Sequence, residues 1–233
     1  DLHSFPTRRS SDLYSFHGFE FARGWVTRFR VLLPYHPGFG ESADAPAIDS
    51  LEAHVKHCLA LFDGLRLKSF HLVGASLGGR LAAEFAIAHP ERVRRLVLVA
   101  PGGIATPAFL QPDFSRVAYH EWPAYFAHDP DIVRRYWPNE PDEEFLAARA
   151  REAQAVGRVA LSEGLDAPRL RRVRAPTLLI WGKQDRMVLA GNAEEWRLRI
   201  PGSTVRIIDQ AGHLLLDESP PARAAIAEFL NEQ

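Results

Sequence analysis

From Phe29 onward the chain alternates short apolar runs with segments whose apolar residues recur every three or four positions. That is how parallel strands joined by crossover helices read. Phe29–Leu33 (FRVLL), Phe70–Val73 (FHLV), Leu96–Ala100 (LVLVA), Thr177–Trp181 (TLLIW) and Val205–Ile208 (VRII) are the five strands this pattern predicts. The third is apolar throughout, as burial on both faces requires. Leu51, Val55, Cys58, Leu59, Phe62 and Leu65 keep helical spacing behind a cap at Asp49 or Ser50. Leu77–His89, rich in Ala and Leu and stopped by Pro90, predicts a second helix. A last helix is expected over Ala222–Leu230, packing through Ala222, Ile226, Phe229 and Leu230.

Two stretches break the alternation. Between the third and fourth strands, Ile104–Val173 carries Phe109, Phe114, Tyr119, Trp122, Tyr125, Phe126, Tyr136, Trp137 and Phe145. An inserted helical subdomain with aromatic faces can cover a pocket as a lid; most of these rings are expected simply to pack it onto the body. Residues Asp1–Leu13 (DLHSFPTRRSSDL) are polar, aperiodic and without the apolar core of a signal peptide. They resemble a translated sequencing-adapter fragment of the kind found in metagenomic reading frames, so homologous sequence is expected to begin near Tyr14, with the native start and its strands missing. The expected division is a leader at 1–13, a body at 14–103 and 174–233, and a lid at 104–173. The α/β body of about 150 residues is lean, which also points to an N-terminal truncation.

Composition narrows the class without naming a partner. Of 233 residues, 46% are hydrophobic and 24% charged, and 28 Lys+Arg against 29 Asp+Glu leave a formal charge of −1. This is ordinary globular composition, with no basic excess to favour nucleic acid. No apolar run approaches the roughly 18–20 residues of a membrane helix. The chain therefore reads as a soluble domain, cytoplasmic for want of an export signal. A single cysteine, Cys58, excludes an internal disulfide framework and falls in an apolar helical pattern, where it reads as a small core residue.

The chemistry concentrates at Gly74-Ala75-Ser76-Leu77-Gly78-Gly79. It matches G-x-S-x-G between a strand and a helix, the context in which a sharp turn lifts a serine hydroxyl above the sheet. Gly74 and Gly78 are expected to be small to relieve that turn. The helix beginning at Leu77 points N–H groups and its positive dipole end at any developing oxyanion. A serine needs a positioned base and a group to orient that base. VGASLGG, IWGKQD and AGHLLLDESP, with HG and PGFGES upstream, occur in the order nucleophile, acid, histidine. On these motifs the chain resembles the α/β-hydrolase fold family, its lidded members in particular, from about Tyr14 to the C-terminus.

The resemblance implies a mostly parallel sheet flanked by helices, with an inserted helical lid. It assigns Asp185 as the acid that holds the imidazole, His213 as the base, and the backbone N–H groups of Leu77 and of Phe19 (in His17-Gly18-Phe19) as the oxyanion hole. Asp209, four residues before His213, reads as a turn residue. PGFGES is preceded by Tyr35 where the family often has an acidic residue. His17, His36, His71 and His120 lack a comparable context, and no HxH or HExxH pattern occurs, so no metal or cofactor is expected.

A serine nucleophile disfavours the dehalogenase and epoxide-hydrolase branches, which the resemblance implies use Asp there. The expected reaction is hydrolysis of a small or medium, apolar carboxylic ester through an acyl-enzyme. Pro101-Gly102-Gly103 and the lidded layout also resemble carbon–carbon hydrolases of aromatic ring-cleavage products. Lactones, thioesters and amides stay open, and so do a catalytically silent ligand-binding member and a non-functional fragment. Nucleic acid and membrane are not expected partners, and the oligomeric state is open.

Overall fold

The computed structural model describes residues 20–40, 42–104, 112–113, 116–160 and 167–232. The leader, Tyr14, His17, Gly18, Phe19, Glu41, Phe109 and Phe114 lie outside the described residues. Four strands form one sheet: β1 (Phe70–Ala75), β2 (Val93–Val99), β3 (Thr177–Gly182) and β4 (Thr204–Ile208). They lie side by side in chain order, every pair parallel, with Val73 opposite Val97, Leu98 opposite Leu179 and Leu179 opposite Val205.

Alternation within the central strands explains their nearly all-apolar sequence. Leu96, Leu98, Leu179 and Trp181 face a core shared with α1 (Leu51–Gly64), α2 (Leu77–Ala88) and α6 (Asn192–Arg199), including Phe85 and Trp196. Val97, Val99, Leu178 and Ile180 face the opposite core, closed by α7 (Leu215–Glu218), α8 (Pro220–Asn231) and Trp25. Fully burying each Leu or Ile contributes about 1.5–3 kcal/mol, so the sheet is held from both sides. Trp181 satisfies its indole N–H on the Val188 carbonyl at 2.9 Å without leaving the core.

Helix ends follow local chemistry. Ser50 caps α1, its hydroxyl accepting from the Ala53 N–H at 3.2 Å. Leu65 is the C-cap and is exposed rather than packed. α8 starts two residues before the expected Ala222, because Ser219 caps it and Pro220 and Pro221 fit a first turn that needs no N–H. β2 starts at Val93, earlier than its apolar run, because Val93 pairs with Phe70 while Arg95 reaches the surface and binds Glu232.

One expected strand is not formed among the described residues. Phe29–Leu33 has no ladder partner among the described residues. Phe29, Val31 and Leu33 turn inward onto the second core, and Phe29 meets the His71 ring of β1 edge-on at 6.0 Å. The apolar alternation is therefore real, but the Phe29 N–H is spent on the Trp25 carbonyl and Pro34 has none to give.

Between β2 and β3 the described chain is helical: a 3₁₀ turn (Tyr119–Glu121), α3 (Pro123–Phe126), α4 (Asp131–Arg134), α5 (Glu143–Ala160) and a second 3₁₀ turn (Ala167–Arg172). Its own core centres on Trp137, with Tyr119, Trp122, Phe126 and Phe145 at centroid distances of 5.4–5.8 Å. Leu170 instead belongs to the core between the sheet and α2, and Arg169 pairs with Glu84 of α2 at 3.0 Å.

Candidate active site

Ser76 follows β1 at once and is the N-cap of α2, with φ 49° and ψ −118°. Residues with side chains seldom adopt this backbone, and holding one there costs about 1–3 kcal/mol. The surroundings fix it from three sides. The Ser76 N–H donates to the Val99 carbonyl at 2.9 Å, while the Ser76 carbonyl accepts from the Gly79 and Gly102 N–H groups, each at 3.0 Å. Pro101-Gly102 thus braces the turn, a structural duty that says nothing about the bond to be cleaved.

The glycine expectation needs correcting at one position. A Cβ on Gly74 would stand 2.7 Å from the Ala82 Cβ and collide with the Gly78 carbonyl oxygen. A Cβ on Gly78 would meet open space, so Gly78 takes part through its backbone alone. The second position where size matters is Gly79, whose Cβ would lie 2.8 Å from the Pro101 Cβ. Leu77 opens α2, with its N–H at the positive end of the helix; Phe19, the other expected oxyanion donor, lies outside the described residues.

Parallel strands bring three separate residues to one end of the sheet. Ser76 stands just past the carboxyl end of β1, Asp185 past β3 and His213 past β4. Asp185 and His213 are both buried and meet, Oδ2 to Nδ1, at 2.9 Å. The other carboxylate oxygen, Oδ1, accepts from the Met187 and Val188 N–H groups at 2.8 and 2.9 Å. Asp209 lies elsewhere: it pairs with Lys183 at 2.7 Å, on side chains 70% and 60% exposed.

The histidine loop is anchored on several sides. Gln184 binds Ala211 twice, its N–H donating to the Ala211 carbonyl at 2.9 Å and its Oε1 accepting from the Ala211 N–H at 3.1 Å. The Leu214 N–H donates to the Phe126 carbonyl at 2.8 Å. Leu214 and Met187, neighbours of His213 and Asp185, pack into the aromatic core around Trp137.

A model of the alpha/beta hydrolase family matches residues 2–227, which takes in most of the expected leader. The chain belongs to the alpha/beta hydrolase family. It is 30% identical over 204 residues to a 2-hydroxy-6-oxo-6-phenylhexa-2,4-dienoate hydrolase of Comamonas testosteroni, covering 79% of this chain and 71% of that protein. It is 32% identical over 222 residues to a 2-hydroxymuconate semialdehyde hydrolase of Pseudomonas putida, covering 87% and 77%. Among solved structures, a bacterial membrane phospholipase A superposes with a TM-score of 0.75 at 26% identity, covering 90% of this chain and 72% of that one.

One residue of this hydrolase escaped the sequence reading, although it lies within the quoted AGHLLLDESP motif. Glu218 Oε1 accepts from the Gly212 N–H next to His213, while its Oε2 accepts from the His128 and Asp129 N–H groups at 2.9 and 3.2 Å. Burial pushes its carboxyl above the usual range, against the pull of these three donors. Glu218 therefore ties the histidine loop to the segment between α3 and α4. In Glu218→Gln the amide nitrogen must turn toward backbone N–H groups on one side, at a cost of about 1–3 kcal/mol. The expected result is a lower melting temperature and a kcat reduced roughly tenfold through misplacement of His213, with KM much less affected. Steady-state kinetics beside thermal melting checks it.

Proposed function

We propose that this protein is a serine hydrolase that cleaves a small or medium carboxylic ester through an acyl-enzyme. The single observation that carries the reading is the buried Asp185–His213 contact at 2.9 Å, at the same end of the sheet as the strained Ser76. An ionised Asp185 only accepts, so the bond fixes the imidazole proton on Nδ1 and leaves the Nε2 lone pair as base. Ser76 Oγ attacks the acyl carbon while Nε2 takes its proton. The Leu77 N–H, with Phe19 proposed as second donor, stabilises the oxyanion. His213 returns the proton to the leaving alcohol, then activates the water that releases the acid.

The segment 104–173 is proposed as the lid over this site. Its aromatic core reaches Leu214 and Met187, so movement there would be felt on both sides of the Asp185–His213 pair. The likeness to a phospholipase supports the ester class.

The two dienoate- and semialdehyde-hydrolysing relatives favour a second reading. The first of those substrates is named as an oxo-dienoate, without an ester, so hydrolysis at its ketone carbon breaks a carbon–carbon bond. The same acyl transfer to water would serve, with a carbon rather than an oxygen leaving group. A panel of p-nitrophenyl esters of graded acyl length, run beside 2-hydroxy-6-oxo-6-phenylhexa-2,4-dienoate, separates the two. Ester turnover with an initial burst, and little on the dienoate, is expected. A kcat/KM on the dienoate exceeding that on every ester would replace the first reading with the second, and no turnover of either would remove both.

A further inference from the structure

Separately from the Ser76, Asp185 and His213 side chains, α1 and the loop before Pro37 build a second cluster. His54 and Cys58 stand one turn apart on α1, both buried, and His36 lies across from them. His54 Nε2 and His36 Nδ1 are 2.9 Å apart, with ring centroids at 4.8 Å. One donor atom from each of His36, His54 and Cys58 falls within 4.8 Å of the other two. The second nitrogen of His54, Nδ1, is buried with no hydrogen-bond partner among the described residues. Buried polar atoms are ordinarily satisfied, so the hydrogen bonding of this cluster is incomplete as it stands.

We propose that His36, His54 and Cys58 form a binding site for a thiophilic transition-metal ion of the zinc class. Two imidazoles and a thiolate are the donors such ions take, at about 2.0–2.3 Å from the metal. Tetrahedral angles at those lengths put donors roughly 3.3–3.8 Å apart, so side-chain rotation closes the present spread. Both rings are withdrawn from solvent, His54 fully and His36 in part, and Cys58 is buried beside them. The bare thiol is inert, and the ion takes the place of its proton. Binding forms one metal–sulfur and two metal–nitrogen bonds and releases the thiol proton to solvent. The proton shared between the two rings moves to a nitrogen that does not face the ion. Exposed His57, its ring 6.3 Å from that of His54, flanks the cluster on the solvent side.

An ion here would staple the Pro37–Gly40 turn to α1, stabilising the folded chain by mass action. No HxH or HExxH pattern announces it, because His36 comes from another element and only the His54–Cys58 spacing of four marks one helical face.

Cobalt(II) titration of the metal-free protein tests the site. The chain has one cysteine, so thiolate-to-cobalt absorption can arise from Cys58 alone. The expected result is a near-ultraviolet charge-transfer band saturating at one equivalent and displaced by zinc, with a rise in melting temperature. The band should vanish in Cys58→Ser and need at least tenfold more cobalt in His36→Gln. Because Cys58 is buried, circular dichroism checks that its variant folds; His36→Gln, in a half-buried loop, is the independent arm. A folded wild-type protein that gives no such band overturns the site, as does a band whose cobalt dependence is unchanged in His36→Gln.

Discussion

Ser76→Ala is expected to lower ester turnover by on the order of a millionfold, the scale on which loss of a triad nucleophile acts. In the proposed mechanism the size follows from what remains: the oxyanion donors and the binding surface still act, but nothing forms the acyl-enzyme. The fold should be unaffected. Alanine keeps the Cβ, so the strained backbone at φ 49° is no worse, and the bonds to Val99, Gly79 and Gly102 are made by the main chain. Far-ultraviolet circular dichroism and thermal melting should therefore match the parent while pre-steady-state kinetics with excess substrate lose the burst. A variant that retains a burst would show that another residue is acylated.

Asp185→Asn carries the second largest expected effect, about ten-thousandfold in kcat. The surrounding bonds give the reason. Oδ1 accepts from the Met187 and Val188 N–H groups, so the asparagine carbonyl must take that place to avoid setting donor against donor. That turns the amide NH2 toward His213 Nδ1, which must then accept. The imidazole proton moves to Nε2, the atom proposed as base. Asp209→Asn, by contrast, removes a surface pair with Lys183 that is worth about 0–1 kcal/mol and should leave kcat within about twofold. Kinetics of the two variants side by side check the assignment. A larger loss in Asp209→Asn would move the acid role to the wrong side of the loop and contradict it.

What could be read from the sequence was whatever depends on residues near one another in the chain. The α1 cap, the Ser76 turn and the two-sided burial of β2 follow from local spacing, and the structure shows each of them. Phe29–Leu33 shows the limit. Its alternation reports which side chains turn inward, but a strand also needs a backbone partner, and apolar periodicity carries no information on that. The Gly78 and Gly79 positions were likewise indistinguishable in a run of glycines, since the neighbour that matters, Pro101, arrives from the next strand. Glu218 was hidden for the same reason: two of its three bonds go to the His128–Asp129 backbone, about 90 residues earlier. Its remaining partner, Gly212, stands only six residues away and was the one available signal.

The most direct measurement is intact-mass and peptide analysis of the full chain after treatment with a fluorophosphonate, which reacts only with a serine made nucleophilic by its surroundings. One covalent adduct is expected, located on Ser76, absent in Ser76→Ala and formed far more slowly in His213→Ala and Asp185→Asn. A folded protein that takes up no adduct, or one that labels at an undiminished rate without His213, would contradict a Ser76–His213–Asp185 hydrolase.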